Sequence, residues 1–173
     1  MHTLSKRCLL IFVLGLLAAG CGRVLNPPAG SSPEGTAAAD SSYRLASEPA
    51  GAKDVKVARN DAKDMEEVVI VGRVGGDQNP WVEGLAAFTI VDLSLKPCEE
   101  GCQTPWDYCC DTDLLPSSKA MVKIVDAQGR TIANDSRSLL GIKESQTVVV
   151  RGKAKRDEAG NLTVLGDGVF VRP

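Results

Sequence analysis

Between Glu66 and the C-terminus the apolar residues fall into five β-type runs. Val68 to Gly76 is rich in β-branched residues with Gly72 in its middle, which predicts a long first strand bent at that glycine. Ala86 to Asp92 predicts a second strand, with Phe88 and Ile90 on one face and Ala87, Thr89 and Val91 on the other. Lys119 to Asp126 is the third, Val122 and Ile124 opposing Met121, Lys123 and Val125, and Asp126-Ala127-Gln128-Gly129 turns the chain out of it. In the fourth, Gln146 to Arg156, Val148, Val150, Gly152 and Ala154 alternate with Val149, Arg151, Lys153 and Lys155. The glycine-containing hairpin loop Asp157 to Asn161 leads to the fifth, Leu162 to Arg172, where Gly166 and Gly168 mark a bulge or tight bend. Between the third and fourth strands Asn134 or Asp135 can cap a short helix over Ser136 to Leu140 that Gly141 ends.

Before residue 64 the pattern changes. Val55, Ala58 and Ala62 fall on one helical face, predicting a short helix near residues 52–62, with Val57 off that face. Gly22 to Asp40 is Pro, Gly, Ser, Ala and Thr with few large apolar side chains, too little to bury on folding, so residues 21–63 read as a flexible tether carrying that helix. Residues 1–20 have the layout of an export signal: Lys6 and Arg7, then an apolar run from Leu9 to Ala19 too short to span a bilayer, which needs roughly 20 apolar residues. Leu17-Ala18-Ala19-Gly20-Cys21 resembles the lipobox of bacterial lipoproteins, with Ala18 where that family usually has leucine. The resemblance implies cleavage before Cys21, lipidation of Cys21 and a stable membrane anchor facing the periplasm or cell surface.

The element order, a glycine-bent first strand, two more strands, a short helix and two final strands, resembles the OB-fold over residues 64–173. That resemblance implies an all-β, five-stranded Greek-key barrel, with the short helix between strands three and four and a cysteine-rich insertion between strands two and three; an open β-sandwich is the alternative. The whole layout also resembles exported bacterial OB-fold lipoproteins. A fold with so many uses does not itself name one.

Composition narrows the chemistry. The single histidine, His2, lies in the signal, so the expected mature chain has none, which disfavours Ser-His-Asp and Cys-His catalysis and histidine-ligated zinc or copper. From Asp64 to Pro173 twelve Lys and Arg face seventeen Asp and Glu, a net of −5, which repels polyanions and makes nucleic acid an unexpected partner. Phe88 is the one aromatic in strands two and three, and sharing a face with Ile90 it reads as core rather than as a stacking platform. Gly72, Gly75 and Gly76 follow a strand, but Asp77, Asn79 and Pro80 stand where a dinucleotide-binding helix would open, so these glycines read as a bend and a loop.

The remaining chemistry is in Pro97 to Cys110, which holds Cys98, Cys102, Cys109 and Cys110. In an exported chain four such cysteines read first as two disulfides, with the neighbours Cys109 and Cys110 each pairing outward to Cys98 or Cys102. A four-thiolate metal site and a reactive redox pair are the alternatives; no cofactor is otherwise implied. Under the disulfide reading Trp106 and Tyr108 are expected to pack on the bridges as a small core. The acidic residues Glu99, Glu100, Asp107, Asp111 and Asp113 read as solvating charge, since Asp111-Thr112-Asp113 lacks the glycine and distal glutamate of a calcium loop. The function these readings favour is non-enzymatic: a lipid-anchored envelope module that binds an unidentified ligand or protein, or plays a structural part there. The alternative is a metal-handling or thiol-redox protein working through the four cysteines.

Overall fold

The computed structural model describes residues 42–98 and 101–173. Its elements are β1 (Lys53–Asp54), α1 (Val55–Asp61), β2 (Glu67–Val74), β3 (Ala87–Val91), α2 (Leu115–Ser118), β4 (Lys119–Ile124), α3 (Ser136–Leu140), β5 (Thr147–Arg156) and β6 (Leu162–Val171). They form a mostly-β fold, a six-stranded mixed sheet with a few short helices. Five strands close into a ring: β2 pairs antiparallel with β3, β3 with β4, β5 with β6 and β5 with β2, while β4 and β6 run parallel.

Two features correct the five-stranded barrel expected from the sequence. The ring is not a regular barrel, because β2 pairs with β5 from Glu67 to Arg73 but with β3 only through Arg73↔Val91 and Val74↔Ile90. β3 joins β2 just after Gly72, where a Cβ would lie 2.9 Å from the Val91 carbonyl oxygen, so this close approach requires glycine. The sheet also has a sixth strand, since Lys53 and Asp54 add in parallel beside Ile70 and Val71. Two residues are too few to leave a periodic signature.

The alternation read from the sequence sets the core. Val122, Ile124, Val148, Val150, Ala154, Phe88 and Ile90 point into the ring and are buried, together with Leu139 and Leu140 of α3. Each full burial of a large aliphatic side chain contributes about 1.5–3 kcal/mol. α3 begins and ends as its residues dictate: the Asp135 carboxylate accepts from the Arg137 N–H, and Gly141 takes the left-handed conformation at φ 64°. The outer row Arg151, Lys153 and Lys155 is exposed, with Arg151 paired to Asp167 at 2.7 Å.

The folded part begins well before Asp64. Val169 donates to the Tyr43 carbonyl at 2.8 Å, Leu45 donates to the Val169 carbonyl at 2.9 Å, and Tyr43 packs against the core. α1 buries Val55 and Ala58 and leaves Val57 exposed, as the helical spacing predicts. Its C-terminal carbonyls are taken by Arg156 from the end of β5, which donates to Ala62 at 2.8 Å and also to Arg59.

Its N-terminus is capped from a distance. Asp54 makes no side-chain cap, and instead the buried Asp92 carboxylate at the end of β3 accepts from the Lys56 N–H at 2.8 Å. Burial works against the charge on Asp92, but the N–H groups of Lys56 and Ser94 and the Ser94 hydroxyl outweigh it and hold its carboxyl below the usual carboxylate range. A lowered carboxylate pKa contributes stability that is present above the unfolded value of about 4 and lost as pH falls through the folded value. Asp92→Ala is therefore expected to cost about 1–3 kcal/mol near neutrality in urea unfolding, with the difference from wild type shrinking below pH 4. A difference that persists undiminished at pH 2.5 would contradict the charged cap.

Candidate functional site

The connection from β3 to β4 carries the cysteine segment, and a second small apolar cluster holds it against the ring. Val91, Leu95 and Tyr108 are buried together, with Leu115 packed on them. Tyr108 is wholly buried, adopts φ 57°, and its hydroxyl accepts from Arg73 Nη1 at 3.1 Å; the same guanidinium group donates to the Leu95 carbonyl. An aromatic residue in the left-handed region is strained by about 1–2 kcal/mol, a cost offset here by the burial of a large ring. Tyr108 thus forms a small core with Val91, Leu95 and Leu115 rather than with the cysteines. Trp106 does not join it: half-buried, it donates from Nε1 to the Gln78 carbonyl at 3.2 Å.

Gly75 and Gly76 are the seat on which the segment rests. The Gly76 N–H donates to the Trp106 carbonyl at 2.7 Å, and a Cβ on Gly75 would lie 2.4 Å from that oxygen. Thr89 fixes the seat from below, its hydroxyl donating to the Gly75 carbonyl at 2.7 Å. The two arms of the segment are tied together where the Cys98 N–H donates to the Pro105 carbonyl at 3.1 Å.

On this base the cysteines converge. Ligand-capable atoms of Cys98, Cys102, Asp107 and Cys109 all lie within 4.8 Å of one another. The sulfurs of Cys98 and Cys109 are 3.5 Å apart, in contact but not at the bonded distance of about 2.05 Å, and Cys98 Sγ stands 3.8 Å from Asp107 Oδ1. Asp107, read from the sequence as solvating charge, is instead the organiser: its Oδ1 accepts from the Cys109 N–H at 2.9 Å and its Oδ2 from the Thr104 hydroxyl at 2.7 Å. Asp111 and Asp113 are not part of that group, Glu99 and Glu100 lie outside the described residues, and so does Cys21.

The thiols are electrostatically unequal. The Cys110 backbone N–H, aided by the neighbouring thiols, holds the Cys98 thiol below its ordinary value. Cys109 is pushed up by its hydrogen bond with Cys98 and by the Asp107 carboxylate, and Cys110 is pushed up chiefly by Cys98. The Asp107 carboxyl is held low by the Thr104 hydroxyl and the Cys109 N–H. A shallow cleft of about 260 Å³ lined by Lys96, Pro97, Cys98, Cys110 and Asp111 opens beside this group.

A second concavity, about 390 Å³, lies over β3, β4 and β6, between the loop after β2 and the β5–β6 hairpin. Thr89, Met121 and Thr163 contribute to its floor, and Lys119, paired with Asp77 at 2.9 Å, and Lys123 line it with both signs of charge. Phe88 is turned away from it into the core, as its shared face with Ile90 predicts. The chain matches no protein-family model and no curated protein.

Proposed function

We propose that the chain is a lipid-anchored envelope module, OB-fold-like in its five-strand ring, that binds a partner or plays a structural role without catalysing a reaction. The observation that carries this reading is the order of the ring, β2-β3-β4-β6-β5 returning to β2, with its parallel β4–β6 seam and α3 between β4 and β5. That is the strand order of an OB-fold barrel, and the mixed-charge groove over β3 and β4 supports a ligand surface where such folds commonly have one. The groove's described lining offers lysines and carboxylates but no aromatic ring, which favours a polar or peptide partner over stacked bases. The anchor is Cys21, on the lipobox-like Leu17 to Cys21, with the domain facing the periplasm or cell surface.

A photo-crosslinking residue at Met121 tests both parts in the exported full chain, with the exposed Asn134, outside the groove, as the control position. Wild type is expected to partition with membranes, to carry acyl mass at Cys21 and to give a discrete adduct from Met121 but none from Asn134. Cys21→Ser is expected to leave the membrane fraction or to remain unprocessed. An unacylated wild-type N-terminus would overturn the anchor, and equal labelling from Met121 and Asn134 would overturn the groove.

A further inference from the structure

We propose that Cys98, Cys102 and Cys109, with Asp107 as the oxygen donor, bind one thiophilic closed-shell cation of the Zn²⁺ or Cu⁺ class. This goes beyond the module reading and depends on neither its groove nor its anchor.

The spacing carries the argument. A tetrahedral ion with sulfurs at about 2.3 Å keeps those sulfurs about 3.8 Å apart, and a carboxylate oxygen at about 2.1 Å stands about 3.6 Å from each sulfur. Two of the six separations, 3.5 Å between the Cys98 and Cys109 sulfurs and 3.8 Å from Cys98 Sγ to Asp107 Oδ1, are edges of about that size, and all six are within 4.8 Å. Neighbour number gives the same result. A disulfide sulfur has one bonded sulfur partner, whereas the ligand atoms of Cys98, Cys102 and Cys109 all lie within 4.8 Å of one another, with the Asp107 carboxylate completing the group. Donors gathered about a common point are the arrangement an ion requires. Three thiolates select soft or borderline cations over Mg²⁺ or Ca²⁺.

The scaffold meets the remaining requirements of a metal site. The donors are held before any ion arrives, because Asp107 is fixed by Thr104 and the Cys109 N–H, and the segment is pinned through Tyr108 and the Gly76–Trp106 hydrogen bond. Access comes through the cleft that Cys98 shares with Lys96, Pro97 and Asp111. On binding, each coordinating thiol loses a proton to solvent, and no electron is transferred.

The test uses the exported full chain, solubilised in detergent and purified anaerobically without chelator or reductant. Native mass spectrometry and thiol alkylation are read on the protein as isolated, then after titration with Zn²⁺ alone and with Cu⁺ alone. The expected result is one ion per chain, and sulfur-to-cobalt charge-transfer bands when Co²⁺ replaces it. Cys98→Ser and Cys109→Ser should each weaken binding at least 100-fold with unchanged far-ultraviolet circular dichroism. Asp107→Asn should weaken Zn²⁺ at least 10-fold and Cu⁺ less, distinguishing the two cations. Two intact disulfides in the protein as isolated would overturn the proposal, as would a stoichiometry indifferent to Cys98→Ser.

Discussion

Gly152→Ala is expected to destabilise the domain by about 3 kcal/mol or more, a large share of the 5–15 kcal/mol by which a domain of this kind is stable. A Cβ at this position would lie 2.1 Å from the Leu165 carbonyl oxygen and 2.8 Å from Gly166 Cα, both backbone atoms of the neighbouring strand. No rotamer change relieves such a contact. The strand cannot slide away either, because β5 and β6 are paired from Val148↔Val171 to Arg156↔Leu162. The register steps at this point: Arg151 opposes Gly168 and Gly152 opposes Gly166, leaving Asp167 as the extra residue of a bulge. The bulge bends β6 across Ile124 and Val150, each of which already stands 3.1 Å from where a Gly166 Cβ would be. Gly160 in the β5–β6 turn is the control. Its φ is positive, 79°, but the space around it is open, so Gly160→Ala should cost only about 1–2 kcal/mol. Urea unfolding with unchanged slope decides between them; equal midpoints for the two variants would show that the bulge register is wrong.

The bulge was legible in the sequence because two glycines two residues apart in a strand have few other uses, and β4, β5 and α3 were legible because their periodicity and caps are local. β3 was not. Its alternation predicts one covered face, yet all of Ala87–Val91 is buried, because part of its outer face is roofed by Tyr108 on Val91 and Thr89 turns its hydroxyl to Gly75. Nothing within five residues of β3 encodes a roof supplied from residue 108. The same limit applies to α1, whose helical face was readable from Val55, Ala58 and Ala62 while its cap, Asp92, lies 36 positions away from Lys56. Tyr43 to Glu48 is too short and irregular to show a period, and it is held by Tyr43 on the core, by backbone pairing to Val169 and by Arg172 on Glu48. At the candidate site the count of cysteines was plain, but not their geometry. Asp107 could not be distinguished from four other acidic residues of the segment until the chain was seen to turn back on Cys98.

Tyr108→Ala is expected to release the cysteine segment while leaving the ring folded. Truncating a wholly buried aromatic residue costs about 3–5 kcal/mol where the surroundings cannot collapse, and here the loss falls on a cluster of four residues separate from the main core. The Arg73 hydrogen bond to the Tyr108 hydroxyl is lost with the ring, leaving the Arg73 bond to the Leu95 carbonyl and the Trp106 bonds to Gly76 and Gln78 to hold the segment. The ring keeps Phe88, Ile90, Val122, Ile124, Val148 and Val150, none of which belongs to the Tyr108 cluster. Local opening should therefore separate from global unfolding. Limited proteolysis is expected to cut Tyr108→Ala at least 10-fold faster within residues 96–114, with rapid amide exchange confined to that segment and the urea midpoint moved by less than a third of what Gly152→Ala produces. Tyr108→Phe keeps the burial and loses one hydrogen bond, so it should cost about 1 kcal/mol and leave the proteolysis pattern near wild type. If Tyr108→Ala instead unfolds segment and ring in one transition, then the segment is an integral part of the domain core, and the view of it as a separately docked platform for the sulfur cluster fails.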